Sequence, residues 1–228
     1  MRDFGGGRGG RGGMRSGVVR GAVAGRAGES SMHSGLRPAL LLDRDGVINV
    51  EVNYLHRPDD VAVLPGVAHA IAQANAFGIP VIVITNQAGI ARGIYGPAEL
   101  MAVGQRIDQL LGSARIDATY HCPHHPEGIV EELQIDCACR KPRPGMLLQA
   151  ATEHGLDLAN SILVGDKDSD LSAARAAGCG AVLVRTGYGA HVERELGPHH
   201  PLYDQVFDSL IDAMPYILMR LRLPLQAL

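Results

Sequence analysis

From residue 38 onward, short apolar runs alternate with segments of helical spacing. The runs are Pro38–Asp43, Val81–Ile84, a weaker one at Ile116–Tyr120, Ser161–Gly165 and Ala181–Val184. Apolar runs this short, without polar alternation, read as strands buried on both faces of a parallel sheet. Between them, Val67, Ala70, Ile71 and Ala74 fall at helical spacing and predict a helix over Gly66–Phe77, stopped by Gly78. Pro97 suits the first turn of a helix reaching Leu111, and Pro144 opens another that reaches His154. Further helices are expected over Ser169–Ala177 and Asp208–Met219, with Pro215 tolerated in the last only near a turn or kink. The alternation predicts an α/β fold, a three-layer sandwich on a mainly parallel, Rossmann-like sheet with right-handed crossovers.

Spacing limits what else the fold holds. Between Asp43 and Thr85 there is room for one loop, Gly46–Pro65, and one helix. Between Thr85 and Lys141 there is room for one helix, one strand and a loop over 121–145 rich in Cys, His, Pro and Gly. No separate cap domain is expected. A loop of that length is normally functional or pinned by something.

Composition divides the 228 residues unevenly. Residues 1–36 hold twelve of the 29 glycines, and the first 30 carry six arginines against Asp3 and Glu29. That opening is net +4, so the remainder is net −7. A segment so poor in apolar residues is expected to be a disordered Gly/Arg-rich arm, followed by one domain over 37–228. An RNA-binding arm is the sharper alternative, and initiation at Met14 or Met32 the plainer one. An acidic domain argues against nucleic acid as its partner. No secretory leader and no membrane span are read from the chain, so a cytoplasmic protein is expected.

The chemistry gathers at the strand ends. Asp43 and Asp45 follow the first run, Thr85 and Asn86 the second, and Arg140 and Lys141 the long loop. Asp166, Lys167 and Asp170 follow Gly165. In open parallel sheets, ligands bind beyond the carboxyl ends of the strands. Two carboxylates, a hydroxyl, a buried-type cation and a second acidic cluster suit phosphoryl transfer through an aspartyl-phosphate. A carboxylate attacking a phosphate dianion needs its charge repulsion screened, which Mg²⁺ supplies.

This series of motifs resembles the haloacid dehalogenase superfamily of phosphatases. The resemblance implies Asp43 as nucleophile and Asp45 as general acid and base. It implies Mg²⁺ held by Asp43, Asp166 and the Asp45 carbonyl, and Thr85 and Lys141 on the transferred group. Asp170 is read as orienting Lys141 or a metal-bound water, or as a helix-N-terminal carboxylate.

Cys122-Pro123-His124-His125 and Cys137-Ala138-Cys139 form a second constellation. Three thiolates and one imidazole make a closed structural zinc set, and spacing alone leaves His124 and His125 open. Cys179 is read as core. Asp43–Asn49, Thr85–Gly93, Cys122–Pro126 and Cys139–Pro142 narrow the likeness to the heptose-1,7-bisphosphate 7-phosphatase family over roughly 38–219. That resemblance favours His124 as the zinc ligand. It implies substrate contacts from Arg44, Glu51, Val52, Asn53, Tyr54, Asn86, Gln87, Ala88, Arg140 and Lys167. The distal phosphate falls to basic groups such as Arg140 or Arg92. The substrate implied is a small phosphorylated sugar on the route to nucleotide-activated heptose; a monomer is expected. Two rival readings are a histidinol-phosphate phosphatase and a non-catalytic, zinc-stabilised interaction module.

Overall fold

The computed structural model describes residues 35–222. The arm expected over 1–36 lies outside these residues, apart from Gly35 and Leu36. Six strands form one sheet: β1 (Leu40–Leu42), β2 (Val81–Asn86), β3 (Ala118–Cys122), β4 (Ile162–Gly165), β5 (Gly180–Val184) and β6 (Gln205–Phe207). Their spatial order is β3-β2-β1-β4-β5-β6, and every neighbouring pair is parallel. Six helices alternate with them: α1 (Val67–Ala76), α2 (Pro97–Leu111), α3 (Gly145–His154), α4 (Asp168–Ala177), α5 (Gly189–Leu196) and α6 (Leu210–Arg222).

Successive strand residues point to opposite faces, and here both faces are covered. Leu40, Leu42, Val81, Val83, Val164, Val182 and Val184 pack under α1, α2 and α6. Leu41, Ile82, Ile84, Leu163 and Leu183 pack under α3, α4 and α5. Two cores back to back on one sheet make the three layers. They also explain why the strands read as unbroken apolar runs.

From β1 the chain builds outward through β2 to β3, then returns to lay β4 against the other edge of β1. The order reverses between β1 and β4, which opens a crevice beyond their carboxyl ends. Asp43 and Asp166 follow those two strands directly. The connections that flank the crevice contain only single 3₁₀ turns, Pro58–Asp60 and Glu131–Leu133. Among the described residues there is no cap domain.

Four features depart from the sequence reading. The β3 strand begins two residues after the expected Ile116, which instead packs on the core from the preceding loop. Helix α5 was not expected, because its only buried positions are Gly189 and Val192 and the rest is largely charged. Strand β6 was not expected either: three residues at a sheet edge, with Gln205 exposed, carry no periodic signal. Helix α6 begins two residues after the expected Asp208 and runs three past Met219, with Pro215 inside it. Pro215 sits on the exposed side, where the carbonyl left without an N–H donor can turn to water.

Candidate active site

Beyond β1 the chain folds back on itself. The Arg44 carbonyl accepts N–H groups from Ile48 at 2.8 Å and Asn49 at 3.1 Å. Gly46 makes this possible with φ +87°, and it also keeps its Cα close to the next strand end. A Cβ on Gly46 would stand 2.2 Å from Asp166 Oδ2, and one on Gly187 2.1 Å from the same atom. Asp166 is therefore wedged between two glycine backbones, and the Tyr188 N–H donates to its Oδ2 at 2.9 Å. The Gly187-Tyr188 turn is a wall of the site that the sequence reading missed. Its signal was there: a Gly-containing segment directly after the apolar run Ala181–Val184.

Lys141 is the charge centre. Its Nζ lies 2.9 Å from Asp43 Oδ1 and 2.6 Å from Asp170 Oδ1, and donates to the Ile84 carbonyl at 2.6 Å. Asp170 also accepts the Lys167 N–H through Oδ2 at 3.0 Å, so it starts α4 and orients Lys141 at once. Both roles proposed for that carboxylate hold together. Burial pushes the Asp43 carboxyl up to about 6, the Asp170 charge adding to the rise against Lys141. Burial and then the neighbouring Asp43 charge lift Asp166 to about 8. Burial alone would lower Lys141, but Asp170 and Asp43 hold it above its ordinary value.

Asp45 points elsewhere. Its carboxylate accepts hydrogen bonds from Arg44, at 2.8 Å to Oδ2, from Asn49 at 2.9 Å and from Gln87 at 2.9 Å. Burial would raise its pKa, yet the Arg44 guanidinium and the Asn49 amide hold it below the ordinary carboxylate value.

One cavity of about 310 Å³ opens onto Asp43, Asp45, Lys141 and Asp170, whereas Asp166 is fully buried and does not line it. It is lined by the four expected catalytic residues Asp43, Asp45, Thr85 and Lys141. Of the ten expected substrate contacts, Glu51, Asn53, Tyr54, Asn86, Gln87, Ala88, Arg140 and Lys167 line it. Arg44 and Val52 do not: Arg44 is buried against Asp45, and Val52 faces solvent. Arg92, Tyr95, His125, Ser169, Asp170 and Tyr188 complete the wall. Across the mouth, Lys167 Nζ bonds Glu51 Oε2 at 2.8 Å and lies 4.8 Å from the Tyr188 ring centroid. A second cavity, about 340 Å³ and mainly apolar, is lined by residues such as Val47, Leu64 and Leu210 and holds none of this chemistry.

The carboxylates suit a hard divalent cation. Asp43, Asp166 and Asp170 each place an oxygen within 4.8 Å of the others. Asp166 Oδ1 is buried without a hydrogen-bond partner among the described residues. Mg²⁺ takes such oxygen donors.

The zinc reading fits equally well. Sγ of Cys122, Cys137 and Cys139 lie 3.0–3.4 Å apart, and His124 Nδ1 is 3.3 Å from Cys139 Sγ. Ligands on arms of about 2.3 Å around one ion form a compact cluster of this kind. His125 is directed away, its Nε2 3.2 Å from Arg92 and its Nδ1 accepting the Glu127 N–H, which leaves His124 as the fourth donor. The Cys122 thiol draws Cys139 down to about 5, against burial, so one thiolate is ready for a cation.

A family model described as HAD-hydrolase-like matches residues 138–213, the part of the chain running from the second Cys pair into α6. The chain is 42% identical over 178 residues to the D-glycero-beta-D-manno-heptose-1,7-bisphosphate 7-phosphatase of Yersinia pestis, covering 77% of this chain and 92% of that protein. The protein of the same description in Escherichia coli K12 is also 42% identical, over 83% of this chain and 97% of its own length. Among solved structures, the D,D-heptose 1,7-bisphosphate phosphatase of B. bronchiseptica, complexed with magnesium and phosphate, superposes with a TM-score of 0.72 at 35% identity. That match covers 80% of this chain and 98% of the other. The chain belongs to the heptose-1,7-bisphosphate 7-phosphatase family of HAD-like hydrolases. Among the described residues, no helix is long and apolar enough to cross a membrane.

Proposed function

We propose that this chain is a Mg²⁺-dependent phosphomonoesterase that removes the 7-phosphate of D-glycero-D-manno-heptose 1,7-bisphosphate, a step towards nucleotide-activated heptose. The observation that carries the reading is Asp43 at the end of β1, tied by Lys141 Nζ at 2.9 Å and opening onto the same cavity as Asp45. The family membership supplies the sugar.

Asp43 Oδ1 receives both the Lys141 ammonium and the Arg44 N–H, the latter at 2.7 Å, which leaves Oδ2 to attack phosphorus. The bond from Oδ2 to phosphorus forms as the bond from phosphorus to the sugar oxygen breaks, and that oxygen takes a proton from Asp45. Arg44 keeps Asp45 ionised in the free enzyme, and the arriving phosphate dianion raises its proton affinity. In the second half, Asp45 takes a proton from water as the water oxygen attacks phosphorus and Asp43 leaves. The Thr85 hydroxyl oxygen accepts from Gln87 Nε2 at 2.8 Å, so its proton remains for a phosphoryl oxygen. Lys141 neutralises the transferred group from the other side. Bound at Asp43, Asp166 and the Asp45 carbonyl, Mg²⁺ would screen the charge repulsion between nucleophile and dianion.

Arg140 and Arg92 line the same cavity and are the groups suited to the distal phosphate. The zinc set anchors the loop that delivers Arg140 and Lys141. The domain is taken to span 37–228, and the enzyme to act as a cytoplasmic monomer, where reduced Cys ligands persist. The test is Mg²⁺-dependent phosphate release from the α and β anomers of heptose 1,7-bisphosphate, with histidinol phosphate alongside. Preference for either heptose supports the reading. Preference for histidinol phosphate keeps the chemistry and replaces the substrate.

A further inference from the structure

The acid–base carboxylate is aimed through Gln87, which also orients the Thr85 hydroxyl, and through Tyr95, which has no place in the reaction described above. Tyr95 Oη donates to Gln87 Oε1 at 2.5 Å, and Arg44 Nη2 donates to the same oxygen at 3.2 Å. With two donors on its carbonyl, Gln87 turns its amide nitrogen to two acceptors, Asp45 Oδ2 at 2.9 Å and Thr85 Oγ1 at 2.8 Å. A flipped amide would set NH₂ against a guanidinium that only donates and a carbonyl against a carboxylate that only accepts. One orientation satisfies every group.

Tyr95 is held rigidly enough to serve as the anchor. It is 8% exposed and belongs to a small apolar cluster with Ile90 and Leu100. Its ring lies against the backbone of Gly89, where a Cβ would meet Cε1 at 2.1 Å. His56 stacks on it with ring centroids 5.8 Å apart and planes 5° from parallel. Burial lifts the phenol to about 12, so it stays a donor. At the other end, Thr85 is fixed by β2, whereas Asp45 sits in the turn beyond β1, bridged only to Asn49. Gln87 thus links two fixed points, Tyr95 and Thr85, to a carboxylate that Arg44 and Asn49 also hold.

We infer that Tyr95 and Gln87 are positioning residues, which aim the Asp45 carboxyl at the leaving oxygen. The inference rests on Asp45 being the acid–base group. It does not rest on the identity of the sugar. An alkoxide leaving group needs the proton that Asp45 delivers, whereas 4-nitrophenolate leaves without one. A misaimed acid therefore costs rate on alkyl phosphates and little on the nitrophenyl ester.

The experiment compares kcat/KM, which covers the steps through departure of the leaving group, on heptose bisphosphate, a simple primary alkyl phosphate and 4-nitrophenyl phosphate. Tyr95→Phe keeps the ring, its stacking and its packing. It should lose about tenfold on the alkyl esters and less than about threefold on the nitrophenyl ester. Gln87→Met also frees the Thr85 hydroxyl, so it should lose rate on both ester types and still lose more on the alkyl esters. The double variant should lose no more than Gln87→Met alone, because Tyr95 acts only through Gln87. Equal losses on both ester types, no loss on either, or multiplying losses in the double variant would each overturn the inference. Wild-type hydrolysis of the alkyl phosphate without the heptose ester would overturn the sugar assignment and leave this result standing. An enzyme inert to every ester would overturn both.

Discussion

Asn86 clamps the backbone of Lys141 from both sides: its Oδ1 accepts the Lys141 N–H and its Nδ2 donates to the Lys141 carbonyl, each at 3.1 Å. A side chain at the end of β2 thus fixes a residue 55 positions later, between the zinc loop and α3. Asn86 lines the cavity, but its amide is already committed to Lys141. Asn86→Ala removes both contacts, at about 1 kcal/mol each. A fall in melting temperature of several degrees and a tenfold or greater loss of kcat are expected, with the zinc content unchanged. Thermal unfolding and phosphate release check this; an unchanged kcat would mean that Lys141 needs no such clamp.

Asp43→Asn should abolish turnover and leave the fold intact. It removes the nucleophile from a site where burial already disfavours the charge. Thermal stability measured without Mg²⁺ should hold or rise, since one of three crowded carboxylates becomes neutral. Turnover above background would contradict the assignment of the nucleophile.

Asp43 at about 6 and Asp166 at about 8 both lie above the unfolded carboxylate value of 3.8. Across that interval the folded chain holds extra protons, so metal-free stability should fall as pH climbs from about 4 to 8. A divalent cation competes with those same protons. Mg²⁺ affinity should therefore tighten between pH 6 and 8, with proton release on binding. Calorimetric titration in buffers of different ionisation enthalpy reads both; affinity independent of pH would contradict the prediction.

Removing zinc should act at a distance. Cys137→Ser breaks the Cys₃His set while touching no group in the cavity. Amide exchange should accelerate over 121–140 and activity should fall, through loss of the support for Arg140 and Lys141. Full activity in zinc-free protein would show that the loop holds its shape by packing alone.

Arg140→Ala should raise KM for a sugar bisphosphate by tenfold or more, with a smaller effect on a monophosphate ester lacking the distal charge. Arg140 lines the cavity and its Nη1 donates to the His124 carbonyl at 3.4 Å, so it is steered by the zinc loop. Parallel losses on both esters would deny it a role in reading the second phosphate.

The apolar runs and the acids that close them were legible without coordinates. Residues buried on both faces must be apolar throughout, so β1, β2 and β4 announce themselves. The groups at their ends, Asp43, Thr85 and Asp166, are then placed by the topology of a parallel sheet. The Cys₃His set was legible for a similar reason, since few other pressures place three thiols within 18 residues. Helix α5 and strand β6 were hidden because a largely exposed helix and a three-residue edge strand carry no periodic apolar pattern.

Local sequence alone determined the strand-and-helix alternation and the chemical types at the strand ends. Propensity, periodicity and turn chemistry act over a few residues. Only the tertiary structure set His124 against the cysteines and turned His125 to Arg92 and Glu127, since those contacts form in the folded loop. It alone brought Gly187 against Asp166, committed Asn86 to Lys141, and turned Gln87 between Tyr95 and Asp45. These are contacts between atoms with directional donors and acceptors, and their partners are set by the packing of elements distant in the chain.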